Sequence, residues 1–408
     1  MATVAVVAPL FGPGTATAAV REPECPVGVA CRFVPIPSSN YDRADRPHDG
    51  DEIRYIVLHD TEERYEAAIR RFQDPASAVS AHYVIRSADG KVTQLVPTED
   101  IAFHAGNYWF NMHSIGIEHE GALADGARWY TEAMYQSSAR LVRYLAARYH
   151  IPLDRAHILG HEEVPGLTPG STAGMHHDPG PYWNWAHFFE LLGAPLPSPQ
   201  HSDSPVVTIA PRFAGNVQPL QNCTRDSCSD LPPQGSNVVY LHTGPSADAP
   251  LVGDPALHPD GSPGTTRVGD WSARAVTGQS FAVAGRQGEW TAIWFGGRMA
   301  WFDDPPGRVS APGHGPLIAA RPGRSTIPVY GAAYPEAAAY PSTISPESLQ
   351  PLPYTIIARQ VYVGLEHGTG DYFDEKTHTL VVGDRRFVEL SFNHRRVFVD
   401  SADVCIRH

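Results

Sequence analysis

Two histidines and one aspartate stand where side chains can do chemistry. His59 follows the apolar run Arg54-Tyr-Ile-Val-Leu58, His161 follows Ile158-Leu159-Gly160, and Asp178 sits in the stiff stretch His176-His177-Asp178-Pro179-Gly180-Pro181. A hydrolytic zinc site needs three N/O donors and one position left open for water. Two imidazoles and a carboxylate from separate, well-anchored segments satisfy that need. Singly each is a weak signal, since a strand-end histidine is commonly hydrogen-bonded or at the surface and an Asp before Pro is a turn former. His177 is a rival third donor beside Asp178. Between the two histidines, Ser114-Ile-Gly-Ile-Glu118 ends in a carboxylate, and two-residue alternation puts Glu118 and Glu120 on one strand face.

The elements that must position these groups alternate between strand and helix. Arg54–Leu58 and Ala81–Arg86 are short buried strands by their β-branched and aromatic content, and Asp89-Gly90 marks a hairpin turn into Lys91–Val96. Ser114–Glu118 is another strand. Tyr65–Phe72 has helical spacing, Glu132–His150 is a long amphipathic helix stopped by Pro152, and Trp183–Leu192 is a third helix. The pattern predicts an α/β fold for 51–193.

Six short motifs in chain order carry a family resemblance: Leu58-His-Asp-Thr-Glu62, Ser80-Ala-His-Tyr-Val-Ile85, Phe103-His-Ala-Gly106, Ser114-Ile-Gly-Ile-Glu118, Leu159-Gly-His161 and His177-Asp-Pro-Gly-Pro181. This stretch, about residues 50–192, resembles the type-2 N-acetylmuramoyl-L-alanine amidases, which share their fold with peptidoglycan-recognition proteins, and the resemblance implies a mixed central sheet with flanking helices. The resemblance implies a secreted, cell-wall-associated peptidoglycan hydrolase that cuts between the muramoyl lactyl group and L-alanine. It implies zinc held by His59, His161 and Asp178, with Glu118 as catalytic base and then acid. Glu120 is the backup base. His176 stands where many relatives place a lysine, and is expected to steady the oxyanion. His82 and His104 are expected to line the groove, and Trp109, in Tyr108-Trp109-Phe110, to meet a sugar face or else to pack in the core. Asp178 follows His161 by 17 positions, a longer gap than in compact relatives, filled by prolines and glycines. A non-catalytic peptidoglycan-binding protein of the same fold is the alternative, disfavoured because all three candidate ligands are present.

Beyond Gly193 the texture changes. Residues 194–236 form a Pro-rich linker with a Cys223/Cys228 loop, and short strands without helices follow in 237–308 and 309–408. Both of these stretches finish strand, tight turn, strand, and a diverged tandem repeat is expected. They resemble bacterial SH3-like modules, which implies two small all-β barrels. Cys25/Cys31 and Cys223/Cys228 are spaced for local disulfides in an oxidising compartment, with Cys405 left over. Residues 1–50 form a signal-like lead-in: Val4–Phe11 is apolar and Ala16-Thr-Ala-Ala19 resembles a cleavage site, without a basic start. The formal charge of −13 excludes a phosphate-binding nucleic-acid partner, and no apolar run is long enough to span a bilayer. Peptidoglycan is the expected partner.

Overall fold

The computed structural model describes residues 21–224 and 226–407; the signal-like segment lies outside the described residues. Six strands form the first sheet: β1 (Cys31–Phe33), β2 (Tyr55–Asp60), β3 (Tyr83–Ile85), β4 (Val92–Gln94), β5 (Ser114–His119) and β6 (Ile158–Gly160), in the order β1-β4-β3-β5-β2-β6. β3, β5, β2 and β6 run parallel, while β4 is antiparallel to β3. β2 is buried at every position because parallel neighbours flank it and both sheet faces are covered. The lead-in 1–50 therefore contributes an edge strand, β1, tied down by the Cys25–Cys31 disulfide.

Besides the four-residue segments Gly126–Trp129 and Pro169–Thr172, the α-helices are α1 (Tyr65–Gln73), α2 (Tyr108–Met112), α3 (Glu132–Tyr149) and α4 (Trp185–Leu192). Thr131 caps α3 by accepting from Met134 N–H, a contact that contributes about 1 kcal/mol. His150 ends α3 in the left-handed region, at φ 58°, just before Pro152. Asn184 caps α4, and Gly193, at φ 77°, terminates it. Ile56, Leu58, Ile115 and Ile117 point to the face that α3 and α4 cover.

The C-terminal half is all β. β7 (Val206–Ile209), β8 (Ser280–Gln287), β9 (Trp290–Phe295), β10 (Arg298–Asp303) and β11 (Ser310–Pro312) make a five-stranded sheet in the order β10-β9-β8-β7-β11. β7 lies inside the stretch whose prolines read as linker, and ordered sheet begins there. β12 (Leu317–Ala320), β13 (Thr326–Tyr330), β14 (Pro351–Ile357), β15 (Val361–Asp374), β16 (Thr379–Ser391), β17 (Arg396–Asp400) and β18 (Val404–Arg407) make a seven-stranded antiparallel sheet, in the order β14-β13-β17-β16-β15-β12-β18. The Cys223–Cys228 disulfide closes a small two-stranded loop.

The seven-stranded sheet packs on the first one. Tyr55, Val57 and Leu159 share a core with Phe110, Tyr330, Phe387 and Phe398, so the C-terminal half covers the other face of β2. His59 is next on that same face, and there the cover stops.

Candidate active site

Parallel register gathers the site. His59 on β2 pairs with Glu118 on β5, and Leu58 pairs with Gly160 on β6, so His161 emerges one residue past the strand beside His59. These are the carboxyl ends of neighbouring parallel strands, where open α/β sheets place their ligands. Asp178 arrives from the other direction on the 164–178 loop. Glu162 N–H donates to the Asp178 carbonyl at 2.8 Å, and Asp60 N–H donates to its Oδ2 at 3.2 Å. One ligand atom each from His59, His161 and Asp178 falls within a common 4.8 Å, and all three residues are buried. His177, the rival donor, is not part of this group.

The donor set asks for a cation. Ser114 Oγ–H donates to the Phe110 carbonyl, which cannot return a proton, so Ser114 Oγ accepts from His104 Nε2–H at 3.1 Å. His104 Nδ1 is then an acceptor and takes His59 Nε2–H at 2.9 Å. His59 Nδ1 is left as a bare lone pair, 3.2 Å from Asp178 Oδ2. Two acceptors facing each other repel unless a positive ion lies between them. His161 Nδ1 likewise approaches Asp178 Oδ1 at 3.1 Å without hydrogen-bond alignment, and both of its ring nitrogens are buried without a partner. Burial, and then the neighbouring His161, push the His59 pKa down to about 4, keeping the imidazole neutral as a ligand must be. Burial opposes the Asp178 charge, but His161, His176 and His59 outweigh it wherever they present a proton and hold its pKa well below the usual range; where His59 presents its lone pair, a cation must take the proton's place.

Glu118 sits beside this cluster with Oε2 buried and unpartnered. Burial first, then Asp178 and Asp60, raise its pKa well above the ordinary carboxylate value. His176 is at the mouth, its side chain 70% exposed and its Nδ1 3.5 Å from Asp178 Oδ1. Contact with Asp178 raises its pKa. Its ring lies against His161, with centroids 4.8 Å apart.

The remaining predicted residues divide. His104 lines the cleft. His82 does not reach it: fully buried, it accepts from Gly116 N–H at its Nδ1, so its Nε2–H donates to the Asp100 carbonyl at 3.1 Å. Trp109 is also corrected from groove to core. It is 1% exposed, packs edge-on against Phe398, and donates from Nε1 to Asp371 Oδ1 at 2.9 Å. Glu120 is no spare base, because its Oε2 accepts from Ser87 N–H at 2.9 Å.

Sequence reasoning missed Arg395, in the turn between β16 and β17. Its buried guanidinium donates to the carbonyls of Val164, Met175 and His176, the last at 2.8 Å. The long loop between His161 and Asp178 is therefore held from the C-terminal half. The only cue in the sequence is a pair of arginines, Arg395-Arg396, between the polar turn Asn393-His394 and the apolar run Val397-Phe-Val399.

The cluster opens into a cleft of ≈1230 Å³. Its lining includes Asp60, Glu62, Glu63 and Glu118 and, from beyond Gly193, Asn222, His258, Arg267 and Trp271.

Known proteins match the part of the chain that carries these residues. A family model described as N-acetylmuramoyl-L-alanine amidase matches residues 49–181. N-acetylmuramoyl-L-alanine amidase A of Achromobacter lyticus is 34% identical over 174 residues, 39% of this chain and 90% of that protein. The 1,6-anhydro-N-acetylmuramyl-L-alanine amidase AmpD of Salmonella typhimurium is 39% identical over 122 residues; the match spans 28% of this chain and 57% of AmpD. Among solved structures, a selenomethionine derivative of AmpD aligns at 30% identity over 40% of this chain and 94% of that one, with a TM-score of 0.30.

Proposed function

The chain belongs to the N-acetylmuramoyl-L-alanine amidase family, and from that premise we propose that it hydrolyses peptidoglycan with a zinc ion held by His59, His161 and Asp178. The bond cut is the amide between the lactyl group of N-acetylmuramic acid and the L-alanine of the stem peptide. The observation that carries the zinc assignment is the lone pair of His59 Nδ1 facing Asp178 Oδ2 at 3.2 Å, with the unpartnered ring of His161 beside them.

When bound, zinc supplies a Lewis acid for the scissile carbonyl and for water, and its charge favours the carboxylate form of Glu118. Glu118, on the strand next to His59, takes a proton from the attacking water and returns it to the departing alanine nitrogen. A carboxyl group with a raised pKa suits both halves of that task. His176, exposed at the mouth and held towards the protonated form by Asp178, donates to the developing oxyanion, a contribution of about 3–4 kcal/mol to the barrier in comparable hydrolases. Ser114 and His104 fix the His59 tautomer and its ring plane. His82 acts one layer further back, by packing beneath His104 with ring centroids 5.8 Å apart.

Two disulfides support an oxidising, extracytoplasmic setting. No helix among the described residues is long and apolar enough to cross a membrane. A secreted, wall-associated enzyme fits both observations. Residues 51–193 supply the catalytic unit, and the β stretches 237–308 and 309–408, likened to SH3 modules in sequence, follow it. Incubation of purified wall with the zinc-loaded protein, followed by mass analysis of the fragments, is the test. The expected result is free stem peptide with a new L-alanine amino terminus; intact wall, or cleavage at any other bond, would overturn the assignment.

A further inference from the structure

The family match ends at residue 181, yet the cleft does not. The 257–271 segment of the C-terminal half also lines it and touches the metal loop: a Cβ built on Gly269 would lie 3.8 Å from His177 Cε1, next to Asp178. Two residues before Gly269, Arg267 lines the same cleft with its side chain exposed.

Carboxylates line this cleft, and the one on the Arg267 segment, Asp270, is already engaged by Thr265 N–H and His258 Nε2. The end near the ligands carries Asp60, Glu62, Glu63, Glu118 and Asp178. Of its cations, Arg71 is already matched by Glu63, with Nε 3.2 Å from Oε1. Arg267 has no carboxylate within ion-pair distance among the described residues, and its guanidinium is free to bind a ligand.

Its backbone is fixed from both sides. Arg274, itself buried, donates from Nη1 to the Val268 carbonyl at 2.8 Å and from Nη2 to the carbonyl of Arg267. Gln221 N–H donates to Thr266 O at 3.0 Å, and Val268 N–H donates to Gln221 O at 2.8 Å. Asp270 gathers Thr265 N–H at 2.7 Å and His258 Nε2 at 3.0 Å. A long cation on so rigid a platform is a positioned donor.

We infer that Arg267 binds a free carboxylate of the stem peptide, so that the C-terminal half supplies a specificity subsite to the amidase centre. This rests on the amidase reading above. The chemistry of that substrate decides which half faces Arg267. The lactyl carboxyl is consumed in the scissile amide, and the sugar's hydroxyl and acetamido groups are neutral. Free carboxylates therefore lie on the peptide side. Peptide residues advance about 3.3–3.6 Å each when extended, so a carboxylate one to three residues past the cut falls ~4–11 Å away. The carboxylates at the metal end repel that anion, and Arg267 attracts it, which sets the direction in which the peptide lies.

Two substrates test the inference: a muramoyl tripeptide with free carboxylates, and the same molecule with each carboxylate converted to a carboxamide. The native zinc-loaded protein is expected to favour the acid about tenfold in kcat/KM through a lower KM, the worth of one charge-assisted hydrogen bond. R267A is expected to treat both substrates alike, with R267K intermediate and zinc content equal in all three proteins. Equal KM values for the two substrates with the native protein, or a preference that survives in R267A, would overturn the subsite while leaving the amidase reading intact. Failure to cleave either substrate would overturn both.

Discussion

At the carboxyl end of β2, His59 and His161 share one carboxylate, Asp178; at its amino end, His113 lies between two. His113 Nδ1 is 3.0 Å from Asp51 Oδ1, and its Nε2 is 3.0 Å from Asp371 Oδ1. Both clusters are buried, and burial alone lowers a histidine pKa. For His59 nothing reverses that, and the value drops to about 4. For His113 the Asp371 and Asp51 carboxylates outweigh burial, and the value rises to about 9. The number of anions per imidazole separates a ligand from a staple. A neutral ring with an unclaimed lone pair can hold a metal; a charged ring with both nitrogens claimed can only hold the protein together. The staple does so across the molecule, since Asp371 comes from the C-terminal sheet and also receives Arg54 Nη2 at 2.9 Å.

The sharpest break in this contrast is Asp178→Asn. It removes the one anion of the ligand cluster, and zinc affinity should fall by more than about 100-fold, beyond the loss typical of an outer hydrogen-bond partner. Hydrolysis should disappear with it, and chelation of the native protein should do the same until zinc is restored. Metal analysis and fragment release check both; a variant that retains zinc would show the ligand set to be wrong. Glu118→Gln separates chemistry from ligation: zinc content should hold while kcat falls by about 10²–10⁴. At the other end of the strand, Asp371→Ala strands a buried charge on His113 and should lower unfolding free energy by about 3–5 kcal/mol in denaturant titration. Zinc affinity measured well below the denaturation midpoint should not move.

The same staple predicts a pH dependence. The folded His113 pKa lies above its unfolded value near 6.5, so its stabilisation is complete below that value and is lost as pH rises through about 9. Melting curves should lose of order 3 kcal/mol across this window, and His113→Gln should abolish the slope. The smallest effect belongs to Ser114→Ala, which removes the end of the chain that fixes the His59 tautomer. Zinc affinity should weaken by about tenfold, with melting nearly unchanged; an equal loss of both would make Ser114 a packing residue only.

Much of this was legible in the sequence where burial is continuous. β2 and β5 announced themselves as short apolar runs because parallel strands are covered on both faces, while their register came only with the structure. Strand length was less legible: β2 extends through His59 and Asp60, whose pairing with Glu118 and His119 is a property of the neighbour. Trp109 and Glu120 went astray for one reason. Alternation and composition state which way a side chain points, but not what meets it there, and the partner of Trp109 lies 262 residues away. The His104–His59 hydrogen bond was hidden likewise, since a 45-residue separation gives no sign that two rings touch. β7 was masked by its prolines, which border a four-residue apolar strand and make it look like tether.

Arg395 sets a condition on dissecting this molecule. A fragment that stops at Gly193 would retain the proposed zinc ligands, Glu118 and His176, but would strip the carbonyls of Val164, Met175 and His176 of their shared donor and bare the Tyr55–Val57 surface to water. Transplanting the catalytic unit into another protein calls for carrying the β half along, or for shortening the 164–176 loop until it can hold its own shape.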